Sequence, residues 1–491
     1  MTEGRFDTVI TNGRFVNHDS IIDGSLGISG GKIAFISSSQ EAPPADEVID
    51  ARGRYVIPGL IDPHTHPGAL RPFSDDIRSE TRAAAAGGVT SWFATIKSTR
   101  MGYSYQPVTE PDEAISYLEA CKAGIEIVEK ESTIDVGFNL AIQCDRDAEE
   151  IPEIARQHGV TTYKFYVGYR GANDFAKRIG LPLAWDDGTL FVGFENIARI
   201  GGLAMIHAEN NDVTRVLTAR IRGPERQDLA AWEDRSPDFA EAFHISTYSH
   251  FALVTGATLY VVHTSSAMGL RESAYWRARG ANVVNETVPH YFMLTKFDDP
   301  PGKMAKVNTP IRTKTDNEAL WAGIRDGEIE CIGSDHVPGT RAEQADRDLW
   351  DLMTGMAETE QILPLMLTEG VNAGRISIQK LVEVCSYRNA IRFGVYPKKG
   401  VLQPGSDADL VIVDLDRDER ISIRDPKLWH SDADFSIWEG RRVTGLPILT
   451  MIRGRTVMRD GEIVSPGGGQ YLRRTPADLP VATDGIYPRT T

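Results

Sequence analysis

The chain has 491 residues, 41% of them hydrophobic and 25% charged, with a formal net charge of -16. That length exceeds one ordinary core and implies a large domain with a smaller companion. So acidic a surface excludes a general binder of nucleic acid or anionic membrane, both of which need positive charge. Small anionic substrates stay open, because a local pocket can differ from the whole.

The opening residues carry early acids and only a short apolar run, so no secretion signal is read. No run is long enough to span a bilayer. Cys121, Cys144, Cys331 and Cys385 are far apart, and none belongs to a CxxC pair. They read as packed thiols of a reducing compartment, so the expected location is cytoplasmic.

In chain order, FDTVITNGRFV, SLGISGGKIAFISS and EVIDARGRYVIPG are short strands divided by turns. GSDADLVIVDLD and ILTMIRGRTVMRDGEIV repeat that texture near the end. Neither group makes a core alone. Residues 1–57 and 400–470 are therefore read as one small β-sandwich domain, with two separate sheets as the alternative. Residues 58–399 carry the larger domain. Apolar runs recur at 56–62, 88–96, 135–142, 160–167, 201–207, 257–263, 281–286 and 329–334. Stretches such as PDEAISYLEACKAGIEIVEK, with apolar residues three and four apart, separate them as surface helices do. Near-continuous apolar strands indicate a parallel sheet covered on both faces. Eight of them predict an α/β fold, the closed (β/α)₈ TIM barrel, with a doubly wound open sheet as the alternative. Stretches 169–200 and 209–250 are read as insertions that build the substrate face. Residues 466–491 carry four prolines, and 471–491 are read as a tail available for oligomer contacts.

Polar residues stand at the carboxyl ends of the apolar runs. His64 and His66 follow VIPGLIDP, and residues two apart in an extended segment face the same way. His207 ends LAMIH, His263 ends LYVVH, Asp335 follows IECIGS, and Lys164 lies inside TTYKFYV. One such histidine alone is ordinarily a hydrogen-bonded structural residue. Four histidines and an aspartate at matching strand ends predict a metal site, because barrel strand ends converge on one face. Nitrogen and carboxylate ligands without thiolates suit Zn²⁺, Mn²⁺, Fe²⁺, Co²⁺ or Ni²⁺. His64, His66 and Asp335 divide off as one group, and His207 with His263 as a second. A lysine ammonium cannot ligate. Carbon dioxide incorporated on Lys164 as a carbamate would offer two oxygens to bridge the pair.

GKIAFI, VIDARGRYVIPGLIDPHTH, GGVT, YKFYVGY, MIHAEN, GATLYVVHTSS, NETVPHYF, TPIR, GSDHVP, GSDADLVIVD and GGGQYLRR together resemble the cyclic amidohydrolases. The branch they resemble is that of the dihydropyrimidinases and hydantoinases, over nearly the whole chain. The resemblance implies two divalent metals, zinc first among them, held by His64, His66, Lys164 as N6-carboxylysine, His207, His263 and Asp335. It implies hydrolysis of a cyclic amide by an activated water, with Asp335 as general base and acid and Tyr169 stabilising the oxyanion. It also implies a homo-oligomer, a tetramer or dimer.

Neighbouring branches differ at particular residues. A dihydroorotase-like chain has an arginine where Gly68 stands, which removes that reading. Allantoinases generally lack the equivalent of Tyr169 and are the second reading. A non-catalytic hydantoinase-related scaffold lacks part of the metal set kept here. A deaminase has one metal and no bridging lysine. Asn308 and Thr354 stand where the branch usually places a serine and an asparagine at the ring amide, so they are read as substrate contacts of altered preference.

Overall fold

A computed structural model describes residues 5–39, 42–98, 115–169, 185–340 and 344–474. Strands β1 (Phe6–Val16), β2 (Ile21–Ser29), β3 (Lys32–Ser37), β4 (Ala45–Asp50) and β5 (Tyr55–Pro58) open the chain. Eight strands of a second sheet follow: β6 (Leu60–Thr65), β7 (Val89–Ile96), β8 (Asp135–Ala141), β9 (Thr162–Phe165), β10 (Leu203–Ile206), β11 (Thr258–Val261), β12 (Val283–Thr287) and β13 (Cys331–Ile332). The chain then returns to the first sheet through β14 (Leu410–Arg420), β15 (Arg442–Ile452), β16 (Arg455–Arg459) and β17 (Glu462–Ile463).

The two ends build one small β-sandwich. Its strands run β17-β16-β15-β14-β5-β1-β2-β3, and β4 pairs with β1. The antiparallel pair Val56–Ile412 joins the two ends of the chain, so the reading of two separate sheets falls away. Ile10, Leu26, Ile28, Val56, Leu410, Ile412 and Met451 fill its core.

The second sheet is the predicted barrel. Its strands neighbour one another in chain order from β6 to β13, and every described pair is parallel. All residues of β6, β7 and β8 are buried, as a sheet covered on both faces requires. The ring closes where His66 N–H donates to the His336 carbonyl at 2.8 Å and Ser334 N–H donates to Asp62 Oδ1 at 3.1 Å. An open doubly wound sheet is excluded by that closure.

Helices cover the barrel. In the one at Asp187–Ile200, Asp186 caps the first turn by accepting from Gly188 N–H at 2.8 Å and Thr189 N–H at 3.1 Å. Gly201, with φ of 65°, ends it in the left-handed region. The stretch read as an insertion at 169–200 therefore finishes in an ordinary covering helix, and residues 170–184 lie outside the described residues. The stretch 209–250 holds helices at Asn211–Ile221 and Leu229–Asp234 and most of a third at Asp238–Thr255.

Residues 469–474 lie against the chain's own barrel. Val136 N–H donates to the Gln470 carbonyl, Leu472 N–H to Val136, and Arg474 N–H to Gly159. This segment fills the gap where β8 and β9 have not yet begun to pair, since their register starts at Asn139–Thr162. Residues 475–491 lie outside the described residues. No helix among the described residues is long and apolar enough to cross a membrane. The four cysteines are free thiols, with Cys121, Cys331 and Cys385 buried.

Candidate metal centre

The strand ends bring the expected side chains together. His64 Nε2 lies 3.0 Å from His66 Nε2, 3.4 Å from Asp335 Oδ1 and 2.9 Å from Lys164 Nζ. His66 Nε2 is 2.9 Å from the same Asp335 oxygen. On the other side, His207 Nδ1 lies 2.9 Å from His263 Nε2. The stacked rings of His64 and His263, 5.6 Å apart, join the two groups. Of the nine predicted residues, His66, Lys164, Tyr169, His207, His263, Asn308, Asp335 and Thr354 line one cavity, and His64 is fully buried behind it.

Electrostatics hold these groups in the forms a metal requires. Burial pushes His64, His66 and His263 down, which favours the neutral imidazole with its lone pair. Burial would raise Asp335, but His64 and His66 outweigh it and hold the carboxyl well below the usual range. Burial pushes the Lys164 amine down to about 7, against the pull of Asp335 and Glu286. Lone pairs of two imidazoles and a carboxylate then face one another about 3 Å apart, an arrangement that only a proton or a cation between them makes favourable. The nitrogen and oxygen donors present fit a pair of divalent ions. His263 and Asp335 hold φ of 41° and 51°, a left-handed backbone that non-glycine residues adopt at a cost.

Supporting residues lie one contact further out. Glu209 Oε2 accepts from His207 Nε2 at 3.2 Å, which leaves the His207 Nδ1 lone pair facing His263. Burial alone would raise Glu209, but Arg235 holds it at about 2. Glu286 Oε1 lies 3.1 Å from His64 Nδ1, and burial pushes it up to about 8. Tyr169 stacks on His207 with centroids 4.7 Å apart, and burial raises its hydroxyl well above the usual value. Tyr166 reaches His66 Nδ1 from its hydroxyl at 3.3 Å. Lys97 stands on the cavity wall after β7, pushed down to about 8 by burial. Glu209, Glu286, Arg235, Tyr166 and Lys97 were not singled out from the sequence. Glu209 and Glu286 sit inside MIHAEN and NETVPHYF, and Tyr166 inside YKFYVGY, which was their available signal. Gly68 has φ of 79° and donates its N–H to Asp76 Oδ2 at 2.8 Å, a turn that suits glycine and presents no cation.

A second acidic group, Asp135, Asp407 and Asp409, lies at the junction of barrel and sandwich. Lys399 Nζ sits among these acids, 2.8 Å from Asp135 Oδ2 and 3.1 Å from Asp407 Oδ2, and contacts Asp409 more closely still. An ammonium already occupies the place a metal would take, so this group is an ion-pair lock.

A parallel barrel with imidazoles, a carboxylate and a buried lysine at its strand ends has the architecture of a metal-dependent hydrolase. The amidohydrolase family profile matches residues 235–457. An L-hydantoinase of Paenarthrobacter aurescens is 33% identical over 475 residues, 96% of this chain and 98% of that protein. A D-hydantoinase of Geobacillus stearothermophilus is 33% identical, covering 95% and 96% of the two chains. The crystal structure of a dihydropyrimidinase from Brevibacillus agri superposes with a TM-score of 0.84 at 31% identity, over 96% of this chain and 99% of that one. The chain belongs to the amidohydrolase superfamily, in its dihydropyrimidinase/hydantoinase branch.

Proposed function

We propose that the chain hydrolyses the amide bond of a cyclic amide, a dihydropyrimidine, a hydantoin or a related cyclic imide, at a pair of divalent metal ions. The observation that carries this reading is the convergence of two imidazole groups on either side of buried Lys164. His64, His66 and Asp335 would hold one ion and His207 with His263 the other. Zinc is the ion we assign, first among the divalent ions that a nitrogen and oxygen donor set accepts, as the family resemblance implies. When bound, the ions supply a lowered water pKa and polarise the substrate carbonyl. Lys164 takes part as its N6-carboxyl form, made when the neutral amine adds to carbon dioxide and loses a proton. That exchange replaces an ammonium beside the cations by an anion.

Asp335 accepts the proton of the attacking water and passes it to the leaving ring nitrogen. The Tyr169 hydroxyl donates to the carbonyl oxygen as that atom gains charge. Asn308 and Thr354 form the wall beside the ring amide. Tyr169, Asn308 and Thr354 also line a groove of about 470 Å³, which gives a route inward. Opening a hydantoin or a dihydropyrimidine yields an N-carbamoyl amino acid. The same reading includes a cytoplasmic homo-oligomer, a tetramer or dimer. Exposed Phe191, Phe239 and Phe243 on two covering helices supply apolar surface for it.

The test is a turnover screen of metal-loaded protein over dihydrouracil, substituted hydantoins, allantoin and cyclic imides. Ring opening of a hydantoin, dihydropyrimidine or imide is expected. Turnover of allantoin alone moves the chain to the second reading, and ring opening of none of them overturns the substrate class.

A further inference from the structure

Arg235 follows the helix Leu229–Asp234, within the stretch between β10 and β11. It is buried, with its guanidinium 3.7 Å from the centre of the Trp232 ring. It donates to Glu209 Oε1 at 3.3 Å and also to Asn308 Oδ1. Asn308 donates in turn from Nδ2 to the Tyr169 hydroxyl oxygen at 3.3 Å.

The order of these bonds has a direction. A guanidinium offers only N–H donors and no acceptor. Asn308 must therefore turn its carbonyl oxygen to Arg235. Its amide N–H₂ is what remains for Tyr169. The tyrosine oxygen accepts that bond, so its own proton is directed to another partner. A carboxylate at position 308 would do the opposite and take the tyrosine proton for itself.

We infer that Arg235 is a positioning residue that sets the hydrogen-bond direction at Tyr169 through Asn308, so that the tyrosine hydroxyl donates to the substrate carbonyl oxygen. This rests on the role given to Tyr169 above. The same guanidinium holds Glu209, which holds His207 Nε2. One buried cation thus orients both the oxyanion donor and an imidazole of the metal centre. It also gives Asn308 a task that its amide performs through the side chain.

Asn308→Asp tests the direction. The substitution keeps the shape and keeps an acceptor for Arg235, but exchanges the donor for a second acceptor. Tyr169 then donates to residue 308, and kcat is expected to fall by about 10²–10³, the range for losing one oxyanion donor. Bound zinc and the unfolding midpoint are expected to stay close to wild type, so that the loss is one of turnover by an intact site. Tyr169→Phe should lose kcat to a similar degree, and the double variant should lose no more than either single one. Arg235→Lys keeps a donor-only group and should retain more kcat than Arg235→Gln, whose amide can turn either way.

Wild-type kcat in Asn308→Asp with an impaired Tyr169→Phe overturns the inference and leaves the tyrosine role standing. Full activity in Tyr169→Phe overturns the tyrosine role itself. A loss in Asn308→Asp that comes with lost zinc or a lowered unfolding midpoint makes the contact one of packing and overturns the inference.

Discussion

Replacing Lys399 by methionine removes the cation from the middle of three buried acids. Lys399, Asp135, Asp407 and Asp409 each expose no more than 3% of their side chains. Arg453 still engages Asp135, and Lys32 still engages Asp407. Asp409 keeps only the Arg453 N–H at 2.7 Å and an otherwise uncompensated charge. Removing one partner of a buried pair costs about 3–5 kcal/mol, and methionine refills most of the lysine stem. The expected loss at pH 7 is therefore about 3–5 kcal/mol. Lys399 holds Asp135 and Asp407 below the usual carboxylate range against the effect of burial, while at Asp409 burial outweighs it and the carboxyl stands raised. A lowered carboxyl contributes stability above its unfolded value that is lost as pH falls through its folded value. The gap between wild type and variant should therefore narrow once pH drops below about 4. Urea and thermal unfolding midpoints at pH 7 and in acid read both effects. Adding Asp409→Asn should restore part of the loss, because the two residues share one contact. An unchanged midpoint at pH 7, or a deficit of equal size in acid, would refute the reasoning.

Three further outcomes are expected. Asp335→Asn keeps the shape of the carboxylate but cannot accept a proton, so kcat should fall by about 10²–10⁴ while zinc content by elemental analysis stays substantial. Glu209→Gln removes the anion that orients His207, so zinc affinity by competition with a chelator should weaken about 10–100-fold. Deleting residues from 466 onward removes the backbone bonds to Ser132, Val136 and Gly159 and the buried Leu472 and Arg474 side chains. Its thermal midpoint should drop by several degrees even with metal loaded, since about 1 kcal/mol is worth roughly 2–4 °C in large domains.

Much of this architecture was legible because barrel strands are buried on both faces. Each of the eight apolar runs became a strand, from VIPGLID at β6 to IECIGS at β13. The polar residue that ends such a run stands out against apolar neighbours, which is why His207, His263 and Asp335 were visible. Arg235 was not. It lies in EDRSPD, a polar stretch without periodicity, and its task depends on Asn308, 73 positions away. Lys399 likewise depends on Asp135, which is distant in sequence. The segment GGGQYLRR looked like a loose end because its glycines and arginines carry no apolar pattern. Part of its attachment is made by backbone hydrogen bonds, which any side chain permits, and the rest by the buried Leu472 and Arg474, whose partners are distant in sequence.

Residues 469–474 are one stave of the barrel taken from the far end of the chain. Gly469 donates its N–H to Ser132, and Arg474 reaches inward to Thr162 Oγ1 at 3.0 Å. During synthesis all eight numbered strands of the barrel precede this stave. Without it, the backbone groups of Val136 and Gly159 lack these partners, and a barrel formed from the eight strands alone has a slit in its base. That slit closes only when the last-made described residues arrive. A premature stop or a fusion that withholds them leaves a cask short of one board, with its catalytic rim complete and its floor open.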